Sequence, residues 1–169
     1  KNNITPLVQN NTVDCENLSL FYKKQFDVIC CTNALDHSYD AISCIYQMIY
    51  TLKVGGFISL IHNDNEAVYE KYCGLHQWNI TEENNEAIIW NNNVKINLNK
   101  LFGNSVKIET TRYSRGAHGE RSGQDVIAIF IFKTEMYDHN TFINFKERNN
   151  LLSLKYIFNL EHIMDTVIN

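Results

Sequence analysis

An acidic residue and a histidine, Asp36 and His37, follow the first strongly apolar run of the chain. His62 directly follows a second apolar run, residues 57–61. Open α/β sheets bind ligands beyond the carboxyl ends of their strands, so polar side chains at these points are candidates for a site. An imidazole can take a proton near neutral pH, and a neighbouring carboxylate can orient it or contact a substrate. We therefore predict that His37 and Asp36 are catalytic, with loop capping by His37 as the alternative.

The segment GLHQWN, residues 74–79, is rich in side chains that recognise ligands. Trp78 can stack on the face of a sugar or a base, while His76, Gln77 and Asn79 offer directional hydrogen bonds. We predict that this segment, together with His62, binds substrate. The alternative is a buried tryptophan whose polar neighbours pin a loop.

A loop between two later strand patterns carries three arginines, Arg112, Arg115 and Arg121, among several glycines. Guanidinium groups bind oxyanions through two parallel hydrogen bonds, so this loop predicts contact with an anionic substrate. The alternative is a solvated loop with ion pairs to Glu120 and Asp125.

His62 and four oxygen-bearing side chains, at positions 63–66, follow the second apolar run. Together with Asp36 they could bind a divalent cation. Their spacing is loose, however, and capping of a helix by Asn65 explains part of the pattern. We predict no metal site.

Two apolar runs separated by a helical pattern predict a βαβ unit and a parallel strand pair. The first strand is expected at 27–32 and is apolar on both faces, as a central strand requires. Asp40 can cap a helix over 41–52 with one apolar stripe. Gly55 and Gly56 are expected to end that helix and lead into a strand at 57–61.

Shorter elements are predicted on both sides of this unit. They are a strand at 6–13, a turn or short helix at 18–22, a helix at 65–73, strands at 87–90 and 94–98, a helical turn at 98–102, strands at 106–113 and 126–133, and a helix at 137–167.

Composition narrows the class of protein. A formal charge of −4 over 169 residues argues against a nucleic-acid binder. No apolar stretch is long enough to span a bilayer. The five cysteines are odd in number and lack Cys-x-x-Cys spacing, which argues against disulfides or structural zinc. They are expected to be buried free thiols in a cytoplasmic protein.

The ordered motifs resemble the second half of a class I S-adenosylmethionine (SAM)-dependent methyltransferase. FDVICCTNALDH, residues 26–37, looks like that family's fourth strand and loop, and LKVGGFISLI, residues 52–61, like its LKPGG-type turn and fifth strand. The resemblance implies an α/β, Rossmann-like sheet, mostly parallel with an antiparallel closing hairpin. The family's GxGxG loop, which holds the methionine part of SAM, does not occur in this sequence. We therefore expect a chain that is truncated at its N-terminus and lacks the first strands.

The resemblance also implies residues that bind the cofactor SAM. TVDCENLSLF, residues 12–21, looks like the family's third-strand segment, in which Asp14 would accept the adenine amino group and Cys15 would offer its amide. Thr32 and Asn33 would line the methionine end. Without the family match, Asp14 would be a local capping residue and Thr32 a group at a strand terminus.

The predicted function is thus methyl transfer from SAM to the oxygen of a small polar acceptor. The resemblance points to a branch found with bacterial surface-polysaccharide or capsule enzymes, hence to a sugar or phosphorylated precursor. Residues 1–133 would form a partial catalytic domain and 134–169 a C-terminal helical extension. An oligomer is possible. The alternative is a non-catalytic pseudo-methyltransferase or interaction module that does not bind SAM.

Overall fold

The computed structural model describes residues 13–103, 105–115 and 123–136. The strand predicted at 6–13 lies almost wholly outside these residues, as do Arg121 and the helix predicted at 137–167. The helices are α1 Leu18–Phe21, α2 Ala41–Thr51, α3 Glu66–Tyr69 and α4 Leu98–Phe102. The strands are β1 Phe26–Thr32, β2 Leu52–Asn63, β3 Asn79–Glu83, β4 Glu86–Trp90, β5 Lys95–Asn97, β6 Val106–Tyr113 and β7 Val126–Lys133. Two 3₁₀ turns, Cys15–Asn17 and Leu35–His37, precede α1 and α2.

The main sheet has four strands in the order β1-β2-β7-β6. β1 and β2 are parallel, joined by α2, which confirms the predicted βαβ unit. β7 runs antiparallel to β2, and β6 antiparallel to β7. The closing hairpin predicted from residues 106–113 and 126–133 is therefore confirmed, with the predicted strand bounds.

Helix α2 begins where the sequence predicts. The Asp40 side chain accepts a hydrogen bond from the amide of Ser43, 2.9 Å away, as an N-cap does. At the other end, the buried ammonium of Lys133 donates to the carbonyls of Ile49 and Leu52, each at 2.7 Å. These bonds satisfy carbonyls that a helix end leaves without partners.

The end of α2 differs from the prediction. The helix stops at Thr51, and Leu52 is already extended, so Gly55 and Gly56 lie inside β2. Gly55 has φ +86°, and a Cβ on Gly56 would lie 2.7 Å from the Asp27 carbonyl oxygen. Gly55 therefore allows the backbone conformation found where the β1–β2 register is irregular, and Gly56 allows the two strands to approach closely.

A second sheet, β3-β4-β5, is antiparallel. β4 and β5 confirm the two predicted strands, but β3 was not predicted. The turn between β3 and β4 is formed by Asn84 and Asn85, which have φ 54° and 62°. A two-residue turn with both residues at positive φ matches the right-handed twist of the flanking strands, and Asn tolerates it.

One hydrophobic core unites α2, the main sheet and the β3–β5 sheet. Ile58, Leu60 and Ile129 face it from the main sheet and are buried. A central position was predicted for β1 because its residues are apolar on both faces. Within the described residues that position is wrong. There β1 is an edge strand, and Val28 on its outer face is 48% exposed.

Smaller elements agree in part. α1 and α4 form where short helices were predicted, while α3 covers only the first part of 65–73. Cys44 is buried as expected, but Cys30 and Cys73 are exposed. No helix in the described part of the chain has the length and apolar character that crossing a membrane requires.

Candidate functional site

Four side chains meet beyond the carboxyl ends of β1 and β2. The 3₁₀ turn after β1 carries Asp36 and His37, β2 carries His62 near its end, and the segment before β3 carries His76. We call these four residues the Asp36 cluster. The βαβ connection places the ends of β1 and β2 side by side, which is why residues 36 and 62 become neighbours.

Asp36 is the centre of the cluster. Its side chain is 1% exposed, and its Oδ2 lies 2.7 Å from Nδ1 of His76 and 3.3 Å from Nε2 of His37. The same two ring nitrogens lie 3.2 Å apart. His37 and His76 are partly open, at 35% and 21% exposure, so the triangle has a buried base and a face towards solvent.

His62 lies beneath this triangle and is 2% exposed. Its Nδ1 is 3.9 Å from Oδ1 of Asp36, which is too far for a hydrogen bond. Burial lowers the pKa of His62 to about 4, against the opposing influence of Asp36 and Glu66. Within the described residues, Asp36 Oδ1 and both ring nitrogens of His62 have no hydrogen-bond partner.

The GLHQWN segment is tied to the same turn through its backbone. The amides of Gln77 and Trp78 donate to the carbonyl oxygen of Asp36 at 2.9 and 3.3 Å. Nε1 of Trp78 donates to the Ser38 carbonyl at 3.0 Å. These bonds fix residue 76 against residue 36.

Trp78 and Asn79, both predicted to contact substrate, are buried in the structure, and their substrate roles stay predictions. Trp78 is 6% exposed and belongs to the core, so its ring face is covered. Asn79 is buried, accepts from the Val68 amide and donates to the Tyr72 hydroxyl. Both residues pin the segment, which is the alternative that the sequence left open. His76 and Gln77 remain predicted substrate contacts.

The residues predicted to bind SAM lie in two places. Thr32 and Asn33 are exposed at the end of β1, and Asn63 Nδ2 donates to Asn33 Oδ1 at 3.0 Å. Asp14 is exposed, and Cys15 begins the 3₁₀ turn beside the start of α2, where Glu16 accepts from the Tyr39 amide. Their cofactor roles remain predictions.

Arg112 lies at the far end of β6 among three carboxylates. Its guanidinium forms ion pairs with Asp64, Asp125 and Glu82. We call these four residues the Arg112 cluster. The sequence left open that this loop forms ion pairs within the chain instead of binding an anion, and the pair with Asp125 is one of those it named. The guanidinium also donates to the Thr81 hydroxyl and the Glu82 carbonyl, so it joins the main sheet to β3. The side-chain hydrogen bond with Asp64, the largest cause, raises the pKa of Arg112.

The other two arginines predicted to bind an anionic substrate are Arg115 and Arg121. Arg115 is exposed at the end of the described part of β6 and its loop, and Arg121 lies outside the described residues. Neither position tests the predicted anionic contact.

Two overlapping groups of side chains have ligand atoms close enough to share a cation, each group spanning at most 4.8 Å. The first contains Asp36, His37 and His76, and the second contains Glu66, Glu70 and His76. Glu66 is buried, and its Oε2 accepts from Gln124 at 3.2 Å. Glu70 was missed in the sequence, although the i, i+4 spacing from Glu66 on a predicted helix places both on one face.

The fold is α/β and Rossmann-like, with a parallel strand pair and an antiparallel closing hairpin. No protein-family model and no curated protein matches the chain. Among solved structures, it is similar to an S-adenosylmethionine-dependent methyltransferase from Clostridium acetobutylicum ATCC 824, with 12% identity and a TM-score of 0.41. That alignment covers 73% of this chain and 64% of the other.

A second similar structure is the PH0226 protein from Pyrococcus horikoshii OT3, with 12% identity and a TM-score of 0.39. It is matched over 72% of this chain and 60% of its own length. The chain therefore spans less than two thirds of either protein. Likenesses at this level carry no functional argument, which has to come from the site itself.

Proposed function

We propose that this chain forms the acceptor side of a SAM-dependent methyltransferase. The observation that supports it is the Asp36 cluster at the carboxyl ends of β1 and β2, in a sheet ordered β1-β2-β7-β6. The motifs at residues 26–37 and 52–61 supply the resemblance to the methyltransferase family, and they are the segments that bring Asp36, His37 and His62 together.

In the proposed reaction, an acceptor hydroxyl oxygen attacks the methyl carbon of SAM. The C–O bond forms while the methyl–sulfur bond breaks, and S-adenosylhomocysteine leaves with the electron pair. The hydroxyl proton passes to His37, whose ring is half-open to the site and lies beside Asp36. Alignment of the two reactants can supply about 7–11 kcal/mol, and a positioned base a further factor of about 10²–10⁴.

The cofactor would lie along the ends of β1 and the 3₁₀ turn at Cys15. Asp14 and Cys15 would meet the adenine, and Thr32 and Asn33 the methionine end. The Asn33–Asn63 hydrogen bond holds the ends of β1 and β2 together beneath that position. Because the sequence contains no GxGxG loop, a non-catalytic module that keeps only the acceptor groove is the second candidate.

For the acceptor we propose a small polar molecule in the cytoplasm, such as a sugar or a phosphorylated precursor of a surface polysaccharide. His76 and Gln77 would contact it. Contact with an anionic group would come from Arg115 and Arg121, because the charge of Arg112 is already balanced by three carboxylates. An oligomer would be compatible with the edge position that β1 has in the described part of the sheet.

Calorimetric titration of SAM into the full-length gene product tests the proposal, followed by methyl transfer from labelled SAM to nucleotide sugars. We expect His37→Gln to lower kcat by about 10²–10⁴-fold while SAM affinity stays within about twofold. Asp27→Asn is the matched control, since Asp27 lies at the opposite end of β1 and is exposed. Failure of the full-length protein to bind SAM would favour the non-catalytic module.

A further inference from the structure

We propose that Asp36, His37 and His76 bind a divalent transition-metal cation. This inference deepens the proposed function, since the cation would lie where that function places the acceptor hydroxyl. Cation binding itself does not depend on methyl transfer and is measured without it.

The three ligand atoms have the spacing that a metal ion imposes. Ligands at about 2.1 Å around a tetrahedral Zn²⁺ lie about 3.4 Å from one another, and around an octahedral ion about 3.0 Å. The observed separations are 3.2 Å between the two imidazole nitrogens and 3.3 and 2.7 Å from these to Asp36 Oδ2. For an octahedral ion only the 2.7 Å separation would need to lengthen, by about 0.3 Å, whereas a tetrahedral ion would require it to lengthen by about 0.7 Å.

The chemistry of the ligands selects the class of cation. Two imidazole nitrogens and one carboxylate oxygen suit Zn²⁺, Fe²⁺, Co²⁺ or Mn²⁺, whereas Mg²⁺ and Ca²⁺ prefer oxygen throughout. The set differs from the oxygen-rich group considered from the sequence, because residues 63–65 are not part of it. Asn63 and Asn65 make hydrogen bonds with Asn33 and Trp90, and Asp64 pairs with Arg112.

A hydrogen-bonded triangle without a cation is the competing explanation. Both imidazoles could donate an N–H to the same oxygen of Asp36. That arrangement leaves Asp36 Oδ1 and both nitrogens of His62 buried without a partner among the described residues. Buried polar atoms in native proteins nearly always have one, so the triangle alone does not account for the cluster. A water bound to the cation could donate to Asp36 Oδ1 and contact His62, whose Nδ1 lies 3.9 Å from that oxygen.

The surroundings suit a bound cation. His76 also belongs to the group with Glu66 and Glu70, and carboxylates beside a ligating histidine orient its ring and raise its basicity. The hydrogen bonds from Gln77 and Trp78 to the Asp36 carbonyl hold the two ligand segments in register. The partial exposure of His37 and His76 leaves one side of the ion open to a substrate hydroxyl. In the loaded protein His37 would be a ligand and could not also accept the hydroxyl proton; the cation would instead lower the pKa of the bound hydroxyl, so that its proton could pass to water at the open side.

The test is titration of the metal-stripped full chain with Co²⁺ and, separately, with Zn²⁺. We expect one Co²⁺ per chain, with visible absorption from nitrogen and oxygen ligands and no thiolate charge-transfer band. At a hundredfold excess over Kd, Zn²⁺ should raise Tm by about 5–10 °C. His37→Ala and His76→Ala should each weaken binding by about 100-fold or more. Both residues are partly exposed, so these variants should fold, which circular dichroism checks.

Leu75→Ala is the matched control, because Leu75 adjoins His76 and is exposed. It should bind Co²⁺ as the parent does. A thiolate band, or binding that survives both histidine variants, would overturn the proposal, as would no binding at all. Methyl transfer that persists in metal-stripped protein would leave the proposed function intact and remove the cation from it. Tight cation binding without SAM binding would support the cation site and count against the proposed methyl transfer.

Discussion

The Asp36 cluster and the Arg112 cluster, both within the described residues, are opposites in composition. The Asp36 cluster has one carboxylate among three imidazoles, and the Arg112 cluster has one guanidinium among three carboxylates. In the Arg112 cluster the cation also reaches a hydroxyl and a backbone carbonyl, so its donors are used within the chain. In the Asp36 cluster one carboxylate oxygen and both nitrogens of a buried imidazole are unused among the described residues.

This difference separates a structural contact from a candidate site. A guanidinium whose donors are satisfied by the protein has little left for a ligand, whereas a buried imidazole without partners is costly unless something else binds to it. Both clusters lie near the carboxyl end of β2, since His62 is the penultimate residue of that strand and Asp64 follows it. A position at the sheet edge therefore does not by itself indicate a ligand site. Hydrogen-bonding groups that the protein leaves unsatisfied are the better indication.

The largest effect is expected from removal of the carboxylate at the centre of the Asp36 cluster. Asp36→Ala leaves His37 and His76 without their shared acceptor in a mostly buried place. We expect the free energy of unfolding to fall by about 3–5 kcal/mol. Urea unfolding measures it, and Asp27→Ala, which removes only an exposed ion pair with Lys53, should cost less than about 1 kcal/mol. Equal losses in the two variants would contradict the central role of Asp36.

The buried imidazole of the same cluster should make stability depend on pH. The pKa of His62 is lowered to about 4 from an ordinary value of 6.5, chiefly by burial. Between these values the folded chain binds fewer protons than the unfolded chain, so the free energy of unfolding falls as pH drops from 6.5 to 4. The loss should reach at most about 3 kcal/mol.

Urea unfolding at several pH values, in the presence of a chelator, measures this dependence. His62→Leu should reduce it, because the variant lacks the imidazole whose pKa burial lowers. A His62→Leu protein with the same slope between pH 6.5 and 4 would refute the assignment.

Substitution in the Arg112 cluster should lower the free energy of unfolding less than substitution of Asp36. Arg112→Met leaves Asp64, Glu82 and Asp125 facing one another and cuts the link to β3, and we expect a loss of about 1–2 kcal/mol. Arg112→Lys keeps the charge but loses the planar fork, so its loss should be intermediate. The control Lys95→Met breaks an exposed pair with Glu83 and should cost under about 0.5 kcal/mol. A full-stability Arg112→Met protein that fails to bind an anionic acceptor would restore the role predicted from the sequence.

The βαβ unit and the closing hairpin were predictable because their signals are local. Apolar runs and the Asp40 cap act within one element, and the structure agrees with both. β3 was missed although ITEE and EAIIW flank two asparagines, a two-residue hairpin signal. The end of α2 is capped by Lys133, which is more than 80 residues away, so no local pattern contains this contact.

The site was predictable as a set of residues but not as a set of roles. Asp36, His37, His62 and His76 were all singled out, yet their assembly around one carboxylate depends on the loop at Gln77 returning to the Asp36 carbonyl. Trp78 and Asn79 carry ligand-binding chemistry in sequence and use it within the fold. Residue type indicates what a side chain can do, and burial decides whether it is available.

The smallest effect should come from salt, and it distinguishes the two clusters directly. The side chains of the Arg112 cluster are partly exposed, so raising NaCl from about 0.1 to 1 M shortens the screening length from about 10 to 3 Å and weakens those pairs. The stability difference between the parent and Arg112→Met should therefore shrink, by about 0.5 kcal/mol. The difference between the parent and Asp36→Ala should change less, because the Asp36 carboxylate is buried and hydrogen-bonded. Urea unfolding of the three proteins at both salt concentrations gives the comparison, and equal shrinkage in both variants would show that the two clusters are equally open to solvent.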